Sequence, residues 1–124
     1  MIILVEDDRD QRLSLKLALN LAGYTLRDAA NGREALALQR ERPSGILITD
    51  IFMPEADGFE LIAAFRREFP DTKIIVVSGG GKRVRNGDHL QSARLIGAHA
   101  TLQKPFEIQK LLDTLNALTG DSLR

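Results

Sequence analysis

The chain of 124 residues contains no cysteine, which excludes disulfide staples, thiolate metal ligands and cysteine nucleophiles. That absence fits a reducing compartment, with the cytoplasm as the default expectation. Net charge is missing as well: 17 Lys and Arg balance 17 Asp and Glu. No global field then draws the chain to nucleic acid or to an anionic membrane. Long apolar runs are also lacking. The opening run, Met1 to Val5, is far too short for a signal peptide or a membrane span, and acidic residues follow it at once. There is no internal repeat and no low-complexity tract. What remains is the length of one domain with a sizeable core.

Five short apolar runs punctuate that length: Ile2 to Val5, Tyr24 to Arg27, Ile46 to Thr49, Ile74 to Val77 and Thr101 to Gln103. The first, third and fourth are almost continuous Ile, Leu and Val, which suits strands covered on both faces of a parallel sheet. Helical periodicity lies between them. Leu13, Leu17 and Leu21 repeat every four residues; Leu61, Ile62, Phe65 and Phe69 form one stripe; Ile108, Leu111, Leu112, Leu115 and Leu118 form another. A shorter helix follows a cap at Asn31, and one more is expected over Leu90 to Ile96. Gly23, Gly45 and Gly97 mark helix ends and turns, and Pro43 and Pro70 follow patterns they could not continue. The Gly-rich, basic stretch Gly79 to Asp88 reads as a mobile loop. Gly120 to Arg124 reads as a frayed tail after a domain spanning residues 1–119. Five β–α units in this order imply an α/β fold, a single doubly wound sheet of five parallel strands with helices on both faces.

In such a sheet ligands bind beyond the carboxyl ends of the strands. Glu6 and Asp7 follow the first run, Asp50 the third, Ser78 the fourth, and Lys104 and Pro105 the fifth, with Asp8 and Asp10 further along the first loop. Any one of these could simply mark where the chain leaves the core. Together they are harder to dismiss, because three converging carboxylates repel one another unless a pKa rises or a cation binds. Oxygen ligands without nearby His or Cys favour Mg²⁺. Asp50 is then placed to act as a carboxylate nucleophile toward phosphorus, with Lys104 and Ser78 donating to phosphoryl oxygens.

These residues resemble the receiver domain of two-component response regulators. The resemblance rests on the acidic pair in ILVEDD, the segment from Asp50 to Gly58 (DIFMPEADG), the hydroxyl in VVSG, and Lys104-Pro105-Phe106. It covers essentially the whole chain and implies the flavodoxin-like strand order 2-1-3-4-5. It further implies that Asp50 accepts the phosphoryl group, that Asp7 binds Mg²⁺ directly and Glu6 through water, and that the Phe52 carbonyl is the remaining protein ligand. Lys104 would contact phosphate across a cis bond to Pro105, while Met53, Pro54 and Gly58 would shape the turn after Asp50. The expected donor is a histidine kinase or phosphotransfer protein, the output a protein partner, and a homodimer is compatible with this scheme. Catalysis would be confined to the domain's own phosphorylation and dephosphorylation.

Two positions depart from the family pattern. Thr101 stands where an aromatic residue is usual, which puts the common aromatic switch in doubt and shifts the expected readout, beginning at Ser78, to the Gly79 to Asp88 loop. Gly79 stands where a small residue, most often Ala, is usual. Other readings are a phosphorylation-independent pseudo-receiver, a receiver excised from a larger regulator or hybrid kinase, and a Mg²⁺-dependent phosphatase working through an aspartyl phosphate. The first is opposed by retention of Asp7, Asp50, Ser78 and Lys104. The phosphatase reading lacks an acid two residues after the nucleophile, where Phe52 stands, and a flavin site would be repelled by Glu6-Asp7-Asp8. Met1 directly before the first strand favours a complete or minimal chain.

Overall fold

A computed structural model describes residues 1–51, 58–78 and 96–119. Among these, the chain runs β1 (Ile2–Val5), α1 (Arg9–Leu21), β2 (Leu26–Ala29), α2 (Gly32–Glu41), β3 (Ile46–Thr49), α3 (Gly58–Glu68), β4 (Lys73–Ser78), β5 (Ala100–Gln103) and α4 (Ile108–Thr119). The helix expected over Leu90 to Ile96, the loop Gly79 to Asp88 and the tail Gly120 to Arg124 lie outside the described residues, save for Ile96 itself.

Among the described residues all strand pairs are parallel, as the β–α alternation predicts, and the sheet order is β2-β1-β3-β4-β5, as the family resemblance implies. The runs in β1, β3 and β4 are nearly unbroken because each of these strands feeds two cores. Ile3, Val5, Leu47, Ile74 and Val76 pack with Ala35 of α2 and Leu61, Ile62 and Phe65 of α3. On the opposite face, Ile2, Leu4, Ile46, Ile48, Ile75 and Val77 pack with Leu19 of α1 and Leu111 and Leu115 of α4. Asn31 caps α2 as expected, its side-chain oxygen accepting from the Glu34 N–H at 2.9 Å. Gly23 and Gly97 take positive φ, the turn conformation that favours glycine.

One expectation needs correction. The second strand lies at Leu26–Ala29, two residues beyond the apolar run at Tyr24 to Arg27. Tyr24 instead plugs the core at 3% exposure and donates its hydroxyl to Asn116 Oδ1 at 3.1 Å. A buried phenol with a polar tip does this well, and an edge strand needs no continuous apolar run. The helix read from Leu13, Leu17 and Leu21 is present as α1, and the structure adds which face it buries. Leu13, Leu17 and Leu21 do lie on that helix but face solvent, at 53%, 55% and 90% exposure. Leu19 is fully buried, and Leu15 packs against the same core. The helix carries leucine at every odd position from Leu13 to Leu21, so two four-residue stripes were available and the docking angle of the helix selects one.

Candidate functional site

Strand register aligns the functional rim. Val5 pairs with Thr49 and Ser78 with Gln103, so Glu6, Asp50 and Lys104 each stand one residue past the last rung. Asp50 is anchored by its own backbone: its N–H donates to the Val5 carbonyl at 3.3 Å, and its carbonyl accepts from the Thr49 hydroxyl at 2.8 Å. Gly58, at the start of α3, donates to the Ile51 carbonyl at 2.7 Å. A Cβ on Gly58 would lie 2.5 Å from Ile51 Cα and 2.6 Å from the Asp50 carbonyl oxygen, both backbone atoms that cannot step aside. Glycine is therefore required here to bring α3 under the Asp50 turn.

Lys104 holds the centre. Its ammonium donates to Glu6 Oε1 at 2.7 Å, Gln11 Oε1 at 2.8 Å and Asp50 Oδ2 at 3.0 Å. Burial works against its charge, yet the hydrogen bond to Glu6 and the nearby Asp50 carboxylate outweigh it and raise the pKa above the usual lysine range. The repulsion expected among the acids is thus offset from within the protein. Glu6 is almost wholly buried, and its second oxygen, Oε2, accepts from the Asp8 N–H at 3.1 Å. Arg12 hooks the same turn by donating to the Glu6 carbonyl at 2.7 Å while its Nε lies 3.3 Å from Asp28.

The remaining expected residues fall as follows. Asp7 is exposed beside Glu6. Asp8 is the N-cap of α1, accepting from the Gln11 N–H at 2.9 Å, and Asp10 belongs to the first helical turn. Ser78 is fully buried at the end of β4, and its Oγ has no hydrogen-bond partner among the described residues. Its carbonyl accepts from the Lys104 N–H at 2.9 Å. The Lys104–Pro105 bond is cis. Thr101, half-buried, pairs with Val76 in the sheet. Phe52, Met53 and Pro54 lie outside the described residues. Among the described residues no group of three His, Cys, Asp or Glu side chains forms a ready-made metal cage. Mg²⁺ seldom uses one, since it keeps several waters and takes one or two carboxylates. Oxygen donors with Asp7 exposed to solvent fit that habit. Gln11 is the contact that sequence reasoning missed; nothing in its spacing marks it, because it reaches Lys104 only through the placement of α1 over the strand ends.

Residues 2–116 match the response regulator receiver domain, and the chain belongs to that family. It is 35% identical over 119 residues to the response regulator receiver protein CpdR of Brucella abortus, covering 94% of each chain. It is 31% identical to the chemotaxis protein CheY of Thermotoga maritima, covering 95% of this chain and 96% of that one. Against the C4-dicarboxylate transport regulator DctD of Rhizobium meliloti, 34% identical, it spans only 24% of the relative's length. Among solved structures it superposes on Vibrio cholerae CheY4 with a TM-score of 0.83 at 31% identity, covering 94% of this chain and 95% of that one. TrrA of Thermotoga maritima, solved in complex with Mg²⁺ and BeF, gives 0.82 at 28% identity, with 94% and 96% covered. The chain is a phosphoacceptor receiver domain of the two-component type.

Proposed function

We propose that Asp50 is the residue that accepts the phosphoryl group, in a Mg²⁺-dependent reaction, within a domain spanning residues 1–119. The observation that carries this is the Lys104 ammonium held 3.0 Å from the Asp50 carboxylate at the carboxyl rim of the parallel sheet. An Asp50 oxygen attacks phosphorus and forms the acyl phosphate P–O bond. The P–N bond of a phosphohistidine, or the P–O bond of acetyl phosphate, breaks with its electron pair leaving on the donor. Hydrolysis by water returns the carboxylate and releases inorganic phosphate.

Lys104 neutralises one phosphoryl oxygen and Ser78 donates to a second. The buried Ser78 hydroxyl, which has no partner among the described residues, supports that role, because a polar group without a partner is costly until a ligand satisfies it. For Mg²⁺ the residues are Asp7 directly, Asp50 through one oxygen, Phe52 through its carbonyl and Glu6 through water. Both Glu6 oxygens already have protein partners, which supports the indirect role. When bound, the ion supplies positive charge to the transferring group. The donor is a histidine kinase or phosphotransfer protein in the cytoplasm, and the readout is a protein partner reached through the surface around Ser78, Thr101 and the following loop. No described helix is long and apolar enough to cross a membrane.

Intact mass before and after incubation with acetyl phosphate and Mg²⁺ tests the assignment. One phosphoryl adduct is expected, absent in Asp50→Asn and in excess EDTA. Full labelling of Asp50→Asn, or labelling indifferent to EDTA, refutes it.

A further inference from the structure

An ammonium group has three N–H donors and no lone pair. All three of Lys104's are committed: to Glu6 at 2.7 Å, to Gln11 at 2.8 Å and to Asp50 at 3.0 Å. Because Lys104 can only donate, the Gln11 oxygen and not its nitrogen has to face it. A phosphoryl oxygen arriving on Asp50 therefore finds no spare donor on Lys104, and one existing bond must be released.

The three partners differ sharply in what their release costs. Glu6 is 2% exposed, so losing Lys104 would strand a buried carboxylate. Asp50 carries the reacting group: on phosphorylation its own oxygens lose the carboxylate charge, and Lys104 is drawn after the phosphoryl charge, away from its other partners. Gln11 is exposed and neutral, and its freed oxygen is taken up by water at little cost. Its backbone place is secured independently, through its N–H to the Asp8 cap. The side chain can swing away while the first turn of α1 stays put.

We infer that Gln11 is a positioning residue, a releasable latch that holds Lys104 in the unmodified state and opposes phosphorylation by the worth of one hydrogen bond. The inference rests on Asp50 and Lys104 acting as proposed above. An interaction made only in the unmodified state biases the equilibrium away from the modified one. Removing it should favour the phosphoryl-bound form. Replacing it with a charged acceptor should do the reverse, since a carboxylate holds an ammonium more strongly than an amide does.

The test measures beryllofluoride affinity at saturating Mg²⁺, and Mg²⁺ affinity alone, for the wild-type protein, Gln11→Ala and Gln11→Glu. Both variants sit at an exposed helical position, and urea titration checks that each is folded. Gln11→Ala should bind beryllofluoride roughly two- to tenfold more tightly, which is what one hydrogen bond converts to. Its Mg²⁺ affinity should not change. Gln11→Glu should bind beryllofluoride more weakly than the wild type. Equal beryllofluoride affinities across the three proteins, or weaker binding by Gln11→Ala, overturn the latch while leaving the site assignment intact. A side chain that merely supports the helix would shift the urea midpoint without separating the two affinities. Failure of the wild-type protein to bind beryllofluoride at all removes the phosphoacceptor reading, and the latch with it.

Discussion

Ser78 shows how a single residue can be arranged for a state other than the one it occupies. Its side chain is fully buried, its backbone carbonyl is tied to the Lys104 N–H, and its hydroxyl has no partner among the described residues. A hydroxyl in that position costs stability until an acceptor arrives, and a phosphoryl oxygen is such an acceptor. The expected result for Ser78→Ala is therefore split. Stability of the unmodified protein in urea should be unchanged or higher by up to about 1 kcal/mol. Beryllofluoride affinity should fall by roughly tenfold or more, the equivalent of one hydrogen bond to a charged group. A variant that loses stability but binds beryllofluoride normally would show that the hydroxyl serves the core and not the site.

At the scale of one element, the N-terminal half of α1 is held by polar contacts. Asp8 caps its first turn, and Arg12 and Lys16 both reach Asp28 of β2. Those contacts, with Leu19 in the core, decide which of two leucine stripes is buried. Burial predicts unequal mutational costs for residues only two positions apart. Leu19→Ala should lose about 2–5 kcal/mol, the usual range for emptying a buried leucine site. Leu17→Gln, at a position 55% exposed, should stay within about 0.5 kcal/mol of the wild type. Chemical denaturation of both variants checks the pair, and a large loss at Leu17 would mean that the helix is rotated from the orientation described here.

Across the whole molecule, the end of the sheet opposite the site carries a different titratable group. His99, just before β5, donates its backbone N–H to the Ile74 carbonyl at 2.8 Å and accepts the Ile74 N–H on its ring Nδ1 at 3.0 Å. The imidazole thus continues the ladder where a carbonyl would normally stand. Desolvation by burial, and then the charges of Lys73 and Arg66, push its pKa below the ordinary histidine value. The folded state therefore takes up a proton less readily than the unfolded chain. Its contribution to stability is fully present above the unfolded pKa, near 6.5. It is lost progressively as pH falls from there through the depressed folded value. The urea midpoint should drop as pH falls below the unfolded value near 6.5, and by less in His99→Asn, whose side-chain oxygen can accept the same N–H without titrating. Identical pH dependence in the two proteins would remove His99 as the cause.

The fold class was legible in the amino-acid order because burial on both faces of a parallel sheet demands near-unbroken apolar runs, and β1, β3 and β4 supply them. The residues proposed for chemistry were legible for a related reason: they follow those runs directly, where parallel strands must leave the core. Asn31 as a cap and the turn glycines Gly23 and Gly97 were readable from local backbone chemistry alone. The bounds of β2 were not, since the half-buried residues of Leu26–Ala29 leave a weak pattern and the apolar Tyr24 before them belongs to the core. Periodicity could not choose the buried face of α1 either, because leucine at every odd position satisfies two faces equally. Nor could it find Gln11, 93 residues from Lys104 in the chain, or the demand for glycine at position 58 made by the backbone of Ile51 and Asp50. Those contacts join segments whose relative placement depends on how the helices pack on the sheet, which is a property of the assembled layers and not of any local run of residues.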